Sequence, residues 1–567
     1  MGNDRDGHEL RQPDRQERAS LGVVRVTFAL IAALLLPLEA AAWDLEVSRD
    51  SARYFGMLKL GVASAGTALL AWGLVLRLIG RPRSARRLRE ALLIALGALA
   101  ASCWFNCFQF HQGVYLHTGE IFQHYVGSKY FRELSYSRLY DCTVVADYGS
   151  GYNFPAHKRP VRRLGSNRID WATDVLADPE ACTRHFSPQR WRSFQRDVGW
   201  FRAHFHPRRW ASITTDRGFN STPVWNIAAS LLANTGPPSR AQILTLALLD
   251  PLLLLIMWGF VAWAFGWRTL CVALIYWGTN YPALFGWTGG AFLRQDWLAS
   301  AIIGLCLLRR GKFAAGGLVL TISVLLRMTP AILIAGLALK VLGLAWHERS
   351  LTLRAPHRRF AAGCVTALVI ALPLSVLISG GGAWADFARN TQIDLGTPSG
   401  NFVGWKTVVS YEHETRMKVV RDRQLIDSNA PWQQARRDAF QRRQPWFWAG
   451  ALGFLLVLLP AVRQNADWVA AVLGVGLMVV CVQIPSYYYA LLLAYAFLWQ
   501  RSEAIGVGLC ALSAASWLIA GAFRGRDEIF NWVSLASVLF VLFATLLAWQ
   551  SARDSNQTRR ASRAARR

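Results

Sequence analysis

The chain has 567 residues, 53% of them hydrophobic, and its apolar residues fall in many long separate runs. One such run can be a core helix; a dozen or more near bilayer length exclude an ordinary soluble enzyme and define a polytopic α-helical membrane protein. The formal net charge of +27 would point to nucleic acid in a soluble chain. Here the arginines sit between apolar runs and at the tails, where they orient helices and meet anionic headgroups, so membrane lipid and not nucleic acid is the expected partner.

Residues 1–22 are polar and mixed in charge and are expected to be a disordered cytoplasmic N-terminus. An apolar run follows from Leu21 to Trp43. Its end, LEAAAW, is similar to a signal-peptidase site, but the long polar lead favours a retained helix. A second run covers 57–80, the basic loop RPRSARRLRE comes next, and a third run covers 90–110. With that loop cytoplasmic, the helices of 23–110 deliver residues 111–238 to the outer face as a first large periplasmic segment. Runs at 239–266, 270–288, 297–309, 313–327, 330–346 and 360–379 make a central membrane region, 239–379. Its turns RRGK and WHERSLTLRAPHRR fall on the cytoplasmic side. Residues 380–445 form a second periplasmic segment, 446–550 the C-terminal membrane helices, and 551–567 a basic cytoplasmic tail. The expected fold is an all-α polytopic bundle of about 14 membrane helices with two large exoplasmic insertions. The short runs near 297–327 and 486–500 suit tilted or re-entrant segments.

Seven of the nine cysteines lie in or beside apolar runs and read as small core residues. Cys142 and Cys182 lie in the first polar segment. Outside the cytoplasm they can pair, and two free thiols are the alternative. No Cys/His spacing suits a metal, and neither metal nor cofactor is expected.

The richest stretch chemically is His111–Tyr140, HQGVYLHTGEIFQHYVGSKYFRELSYSRLY. A helix starting near Thr118, with Thr118 as its cap, puts Glu120 in the first turn and His124 one turn on, on the same face. A carboxylate there can be a general base for an attacking hydroxyl, or simply a favourable acid at a helix start. Phe122, Tyr125, Tyr130 and Phe131 suit the membrane surface. In GGAFLRQDWLA, Arg294 and Asp296 are either helix anchors or contacts to phosphate and sugar. Arg327, in SVLLRMTPAILI, has apolar residues on both sides; an ionisable residue there is costly and tends to be functional. DRGFNSTPVW, Asp216 to Trp225, is a turn-rich loop that can line the same cavity. FSPQRWRSFQRDVGWFRAHFHPRRW reads as an amphipathic surface helix or a lid. The topology, which rests on the basic loops alone, places Glu120, Arg294, Asp296, Arg327, Asn401 and Tyr488 at one face.

These residues carry a resemblance. EIFQHYVGSKYFRELSYSRLY, the span from GGAFLRQD to LLRMTP, NFVGWKTVV and PSYYYALLL together resemble motifs of the GT-C superfamily of polytopic glycosyltransferases. The branch they resemble uses polyprenyl-phosphate sugars, as mannosyl- and arabinosyltransferases of glycosyltransferase family 87 do. The resemblance implies a bacterial inner-membrane enzyme with its site facing the periplasm. It would move a mannose- or arabinose-like sugar from a polyprenyl-phosphate donor to a glycan or lipid acceptor. It implies Glu120 as catalytic base and Arg327, with Arg294, as donor-phosphate contacts. His124, Tyr125, Asp296, Asn401 and Tyr488 are then candidate substrate contacts. The chain departs from the family pattern in having two extra N-terminal helices, Arg for Lys before Thr329-Pro330, and GGAFLRQD in place of the usual G-Q loop. A transporter or flippase for a lipid-linked or polar solute is the competing class, and it predicts internal repeats, none of which is evident. A non-catalytic envelope-assembly protein is a third.

Overall fold

The computed structural model describes residues 49–564, apart from Gln112 and residues 350–352. The apolar run 21–43 and the polar lead 1–22 lie outside the described residues.

Helices dominate. In chain order the longer ones are α1 (Arg49–Leu78), α2 (Arg86–Trp104), α3 (Thr118–Lys129), α4 (Leu139–Gly149), α5 (Pro188–Ala203), α6 (Trp225–Ala233), α7 (Arg240–Phe265) and α8 (Trp267–Thr279). They continue as α9 (Asp296–Arg309), α10 (Phe313–Leu326), α11 (Ala331–Glu348), α12 (Ala355–Ser379), α13 (Ala383–Gly396), α14 (Ala430–Gln464), α15 (Asp467–Cys481), α16 (Glu503–Ala522) and α17 (Arg526–Ala564). Two antiparallel strand pairs interrupt them: β1 (Pro160–Arg163) with β2 (Arg168–Trp171), and β3 (Phe402–Val403) with β4 (Ile484–Pro485). Among the described residues, seven helices are long and apolar enough to cross a bilayer: α1, α7, α11, α12, α14, α16 and α17. The chain is an all-α membrane protein.

The packing is that of membrane helices, with small residues where backbones approach. A Cβ on Gly317 of α10 would lie 2.1 Å from the Phe360 carbonyl, and one on Gly363 of α12 would lie 2.0 Å from that of Ala314. Each glycine therefore admits the other helix's backbone. Helices α9 and α10 have 14 residues each, about 21 Å at 1.5 Å per residue, short of a full span. The run at 486–500 is wound differently from its neighbours. Ser486–Leu498 is a 13-residue 3₁₀ helix, which at about 2.0 Å per residue covers about 26 Å. It is buried on nearly every side, so tertiary packing supports a winding that is rare at this length.

The segment 111–238 packs into the same continuous core as the membrane helices. The aromatic residues of α3 are turned inward against α5: Phe122 meets Phe201 at 5.4 Å and Tyr130 meets Phe194 at 5.1 Å between ring centroids. Phe122, Tyr125, Tyr130 and Phe131 are all buried, which corrects the expectation that they rest on the membrane surface. α5 is amphipathic as expected, with Ser187 as its N-cap. Its apolar face is consumed by covering α3. Buried Asp197 accepts the Tyr130 hydroxyl at 2.8 Å and pairs with Lys129 at 2.8 Å. Cys142 of α4 and Cys182 form a disulfide, settling the open alternative.

Candidate functional site

The first turn of α3 is built differently from the sequence expectation. The cap is His117, one residue before Thr118, whose Nδ1 accepts the Glu120 backbone N–H at 3.2 Å. An accepting Nδ1 requires a neutral ring. Burial and then Arg209 hold the His117 pKa down, to about 4. His117 also donates its own N–H to the Gly290 carbonyl at 2.9 Å. Gly290 has φ +67, and a Cβ there would lie 1.8 Å from the Tyr115 carbonyl; only glycine fits. The glycines of GGAFLRQD thus fasten the Arg294 loop to the start of α3.

The other end of that loop hangs from α7. The Asp250 carboxylate accepts the backbone N–H groups of Arg294 (2.9 and 3.0 Å) and Gln295 (3.0 Å). The Trp225 indole donates to the Leu293 carbonyl at 2.9 Å. Asp250 is a buried acid inside a membrane-length helix, and its work is to fix the backbone from which Arg294 projects.

Arg294 then reaches back to α3. Its Nε lies 2.8 Å from Glu120 Oε2, while neither atom has a hydrogen bond of good geometry. The contact is a close ion pair that leaves the carboxylate's lone pairs without an aligned donor. The Glu120 side chain is 17% exposed and that of Arg294 4%, so the carboxylate is the member open to a substrate. Burial pushes the Glu120 carboxyl above its ordinary range, and Arg294 only partly opposes this.

His124 joins this pair to Arg327. Its Nε2 lies 3.3 Å from Arg294 Nη1 and 3.4 Å from Arg327 Nη2, and its Nδ1 lies 2.9 Å from the Glu120 carbonyl. Both guanidinium nitrogens can only donate, so Nε2 is the acceptor and Nδ1 carries the proton. Burial, then the two arginines, keep the ring neutral by lowering its pKa well below the usual value. Arg327 emerges where α10 ends, and its Nη1 faces the Asn220 side-chain oxygen at 3.3 Å. Its guanidinium lies over Trp225 at 5.9 Å. Two buried arginines, one just before α9 and one just after α10, thus share one imidazole nitrogen beside one carboxylate.

Other candidates fall around this centre. Asp296 is buried, accepts the Trp297 N–H at 2.7 Å, and interacts electrostatically with Arg327 and Arg294. Tyr488 packs on Trp297 at 5.1 Å and on Tyr487 at 4.7 Å. The Arg294 guanidinium lies 5.4 Å from the Tyr487 ring, so Tyr487 is the nearer aromatic, one residue from the one singled out. The backbone carbonyl of Asn401 accepts the Ser486 N–H at 2.9 Å, and its side chain accepts from Ser399 at 2.8 Å. Asn401 therefore ties the 398–403 loop to the tyrosines through the β3–β4 pair. Tyr125 is not part of the site. Its hydroxyl bonds to Gly236 and Gln242 at the far side of α3, because a fifth-residue step turns it away from the face that Glu120 and His124 share.

The sequence did not single out Tyr487 or Asp250, and it offered His117 and Asp216 only as neighbours of the site, without a role. Asp250 was visible as an acid inside an apolar run. Asp216 lies in the turn-rich loop already noted; it accepts Gln123 Nε2 at 3.0 Å and helps line a cavity of about 450 Å³ that reaches His117 and Gly119. No family model, curated protein or solved structure matches the chain.

Proposed function

We propose that the chain is a membrane glycosyltransferase, similar in plan to GT-C enzymes, that transfers a sugar from a polyprenyl-phosphate donor to a glycan or lipid-linked acceptor. What supports this reading is the convergence of Glu120, Arg294 and Arg327 around His124. A general base and two phosphate-matching cations must meet about one donor, and the close approach of these three side chains supports that reading. In the proposed reaction the acceptor O–H attacks the anomeric carbon, its proton passes to Glu120, and the bond from that carbon to the phosphate oxygen breaks. The electron pair leaves with polyprenyl phosphate, whose added charge the arginines stabilise. Asp296 and Tyr488 are the candidate sugar contacts, and His124 positions the arginines.

The reading includes an inner-membrane location with about 14 spans and the site on the periplasmic side. Seven long apolar helices among the described residues support the membrane location, half the number of spans in this reading, and a disulfide in the segment that carries Glu120 suits an oxidising, outer side for it. The test is transfer from a polyprenyl-phosphate sugar by the purified, reconstituted chain, with E120Q as the variant. Loss of transfer by about 100-fold or more supports the base role, and unimpaired transfer removes it.

A further inference from the structure

Next to the Glu120 centre lies a second, strongly cationic space with no part in the donor chemistry above. The cavity of about 450 Å³ that reaches His117 and Gly119 is lined by Arg162, Arg209, Arg217 and Arg526, with Asp216 as its only acid. It shares Pro398, Ser399, Gly400 and Trp432 with an adjoining cavity of about 230 Å³. There Lys406, Arg436 and Arg437 face one acid, Asp527. Among the described residues, only Arg217 of these seven cations has a carboxylate within 4 Å, that of Asp394 at 3.3 Å.

Arg436 is the telling member. It is only 6% exposed, yet its contacts are the Thr407 carbonyl at 3.3 Å and the rings of Tyr411 and Trp432 at 5.2 and 5.6 Å. The neighbouring acid, Asp527, turns its Oδ2 to the Met417 N–H at 2.8 Å and the Trp432 indole at 3.1 Å, and its charge acts on Arg436 only from a distance. A buried cation with no carboxylate in contact is costly, and an anion bound against it offsets that cost. Lys406, stacked over Phe440 at 4.5 Å, and Arg437 stand beside it at the cavity wall.

We propose that these joined cavities bind an oxyanion, a phosphate or carboxylate, carried by the acceptor. The substrate class is therefore an anionic glycan or an anionic lipid-linked saccharide, its charged group held at Arg436 and its free hydroxyl directed through the Gly119 side toward Glu120. This rests on the glycosyltransferase reading for the word acceptor; the oxyanion site itself does not.

The test is equilibrium binding of mannose 6-phosphate, galacturonic acid and mannose to the full chain in zwitterionic nanodiscs. The expected result is saturable binding of both anionic sugars, with mannose at least about tenfold weaker. R436Q risks misfolding because the residue is buried, so the deciding variant is the double change K406Q/R437Q at the cavity wall. It should weaken mannose 6-phosphate by about tenfold or more, whereas R294Q at the donor centre should leave that affinity intact. Adding phosphatidylglycerol to the discs separates the sources: competition assigns the site to a lipid-borne oxyanion, and its absence to a water-soluble glycan. No saturable binding of either anionic sugar, or binding that R294Q abolishes and K406Q/R437Q spares, overturns the proposal. Because no donor is present, the result stands apart from whether transfer occurs.

Discussion

Arg294 lies with its Nε 2.8 Å from the Glu120 carboxylate, although Glu120 sits in the first turn of α3 and Arg294 in the loop before α9. The pairing is held from three directions: Asp250 fixes the Arg294 backbone, Gly290 joins its loop to Tyr115 and His117, and His117 caps the turn that carries Glu120. A base so placed is anchored without having its lone pairs filled by aligned donors.

The pH dependence of the proposed reaction follows from that environment. Burial raises the Glu120 pKa above its ordinary 4.5 and Arg294 lowers it. The base works ionised, so activity should fall as pH drops, with an acid limb centred above 4.5. Removing the opposing cation in R294Q should move that limb to still higher pH. A pH–rate profile of both proteins checks this, and a limb shifted downward in R294Q would contradict it.

His124 is a positioning residue, and its loss should show in donor handling. In H124A the two guanidinium groups lose their common acceptor and repel one another. The expected result is a donor KM raised about tenfold or more with a smaller fall in kcat. Steady-state kinetics against donor concentration gives the split; an unchanged KM would argue against a shared anchor.

Arg327 spans two partners, Asn220 with Nη1 and His124 with Nη2. A single ammonium cannot reproduce that fork. R327K should therefore retain charge yet lose about tenfold in kcat/KM, and R327Q should lose more. Comparing the two separates geometry from charge.

The disulfide joins positions 40 residues apart. Closing a loop of that length is worth about 4 kcal/mol in the chain-entropy view. C142S/C182S should lower the melting temperature of the purified protein, and reductant should bring the natural chain to the same value. Equal melting temperatures with and without reductant would show that α4 and the Cys182 segment need no such brace.

Much of this was legible in the sequence. Apolar run length gave the long helices, since spanning lipid demands consecutive apolar residues. Arg327 stood out because charge between apolar residues is expensive, and Glu120 as a carboxylate in the first turn of an expected helix whose motif resembles that of a family. Local pattern failed where a role depends on distant chain. Histidine is an unusual N-cap, and His117 serves as one because the Gly290 loop and Arg209 surround it. Tyr125 and its aromatic neighbours looked interfacial until α5, far along the chain, covered them. The 3₁₀ winding of Ser486–Leu498 has no local signal, for its run of tyrosine, leucine and alanine suits an α-helix equally.

The most direct measurement of the central claim is transfer by the reconstituted full chain from a polyprenyl-phosphate sugar, natural protein against E120Q. The account expects product from the natural chain and a loss of about 100-fold or more in E120Q, with donor binding retained. Equal transfer by the two proteins, or movement of the lipid-linked sugar across the bilayer without any transfer, would contradict it.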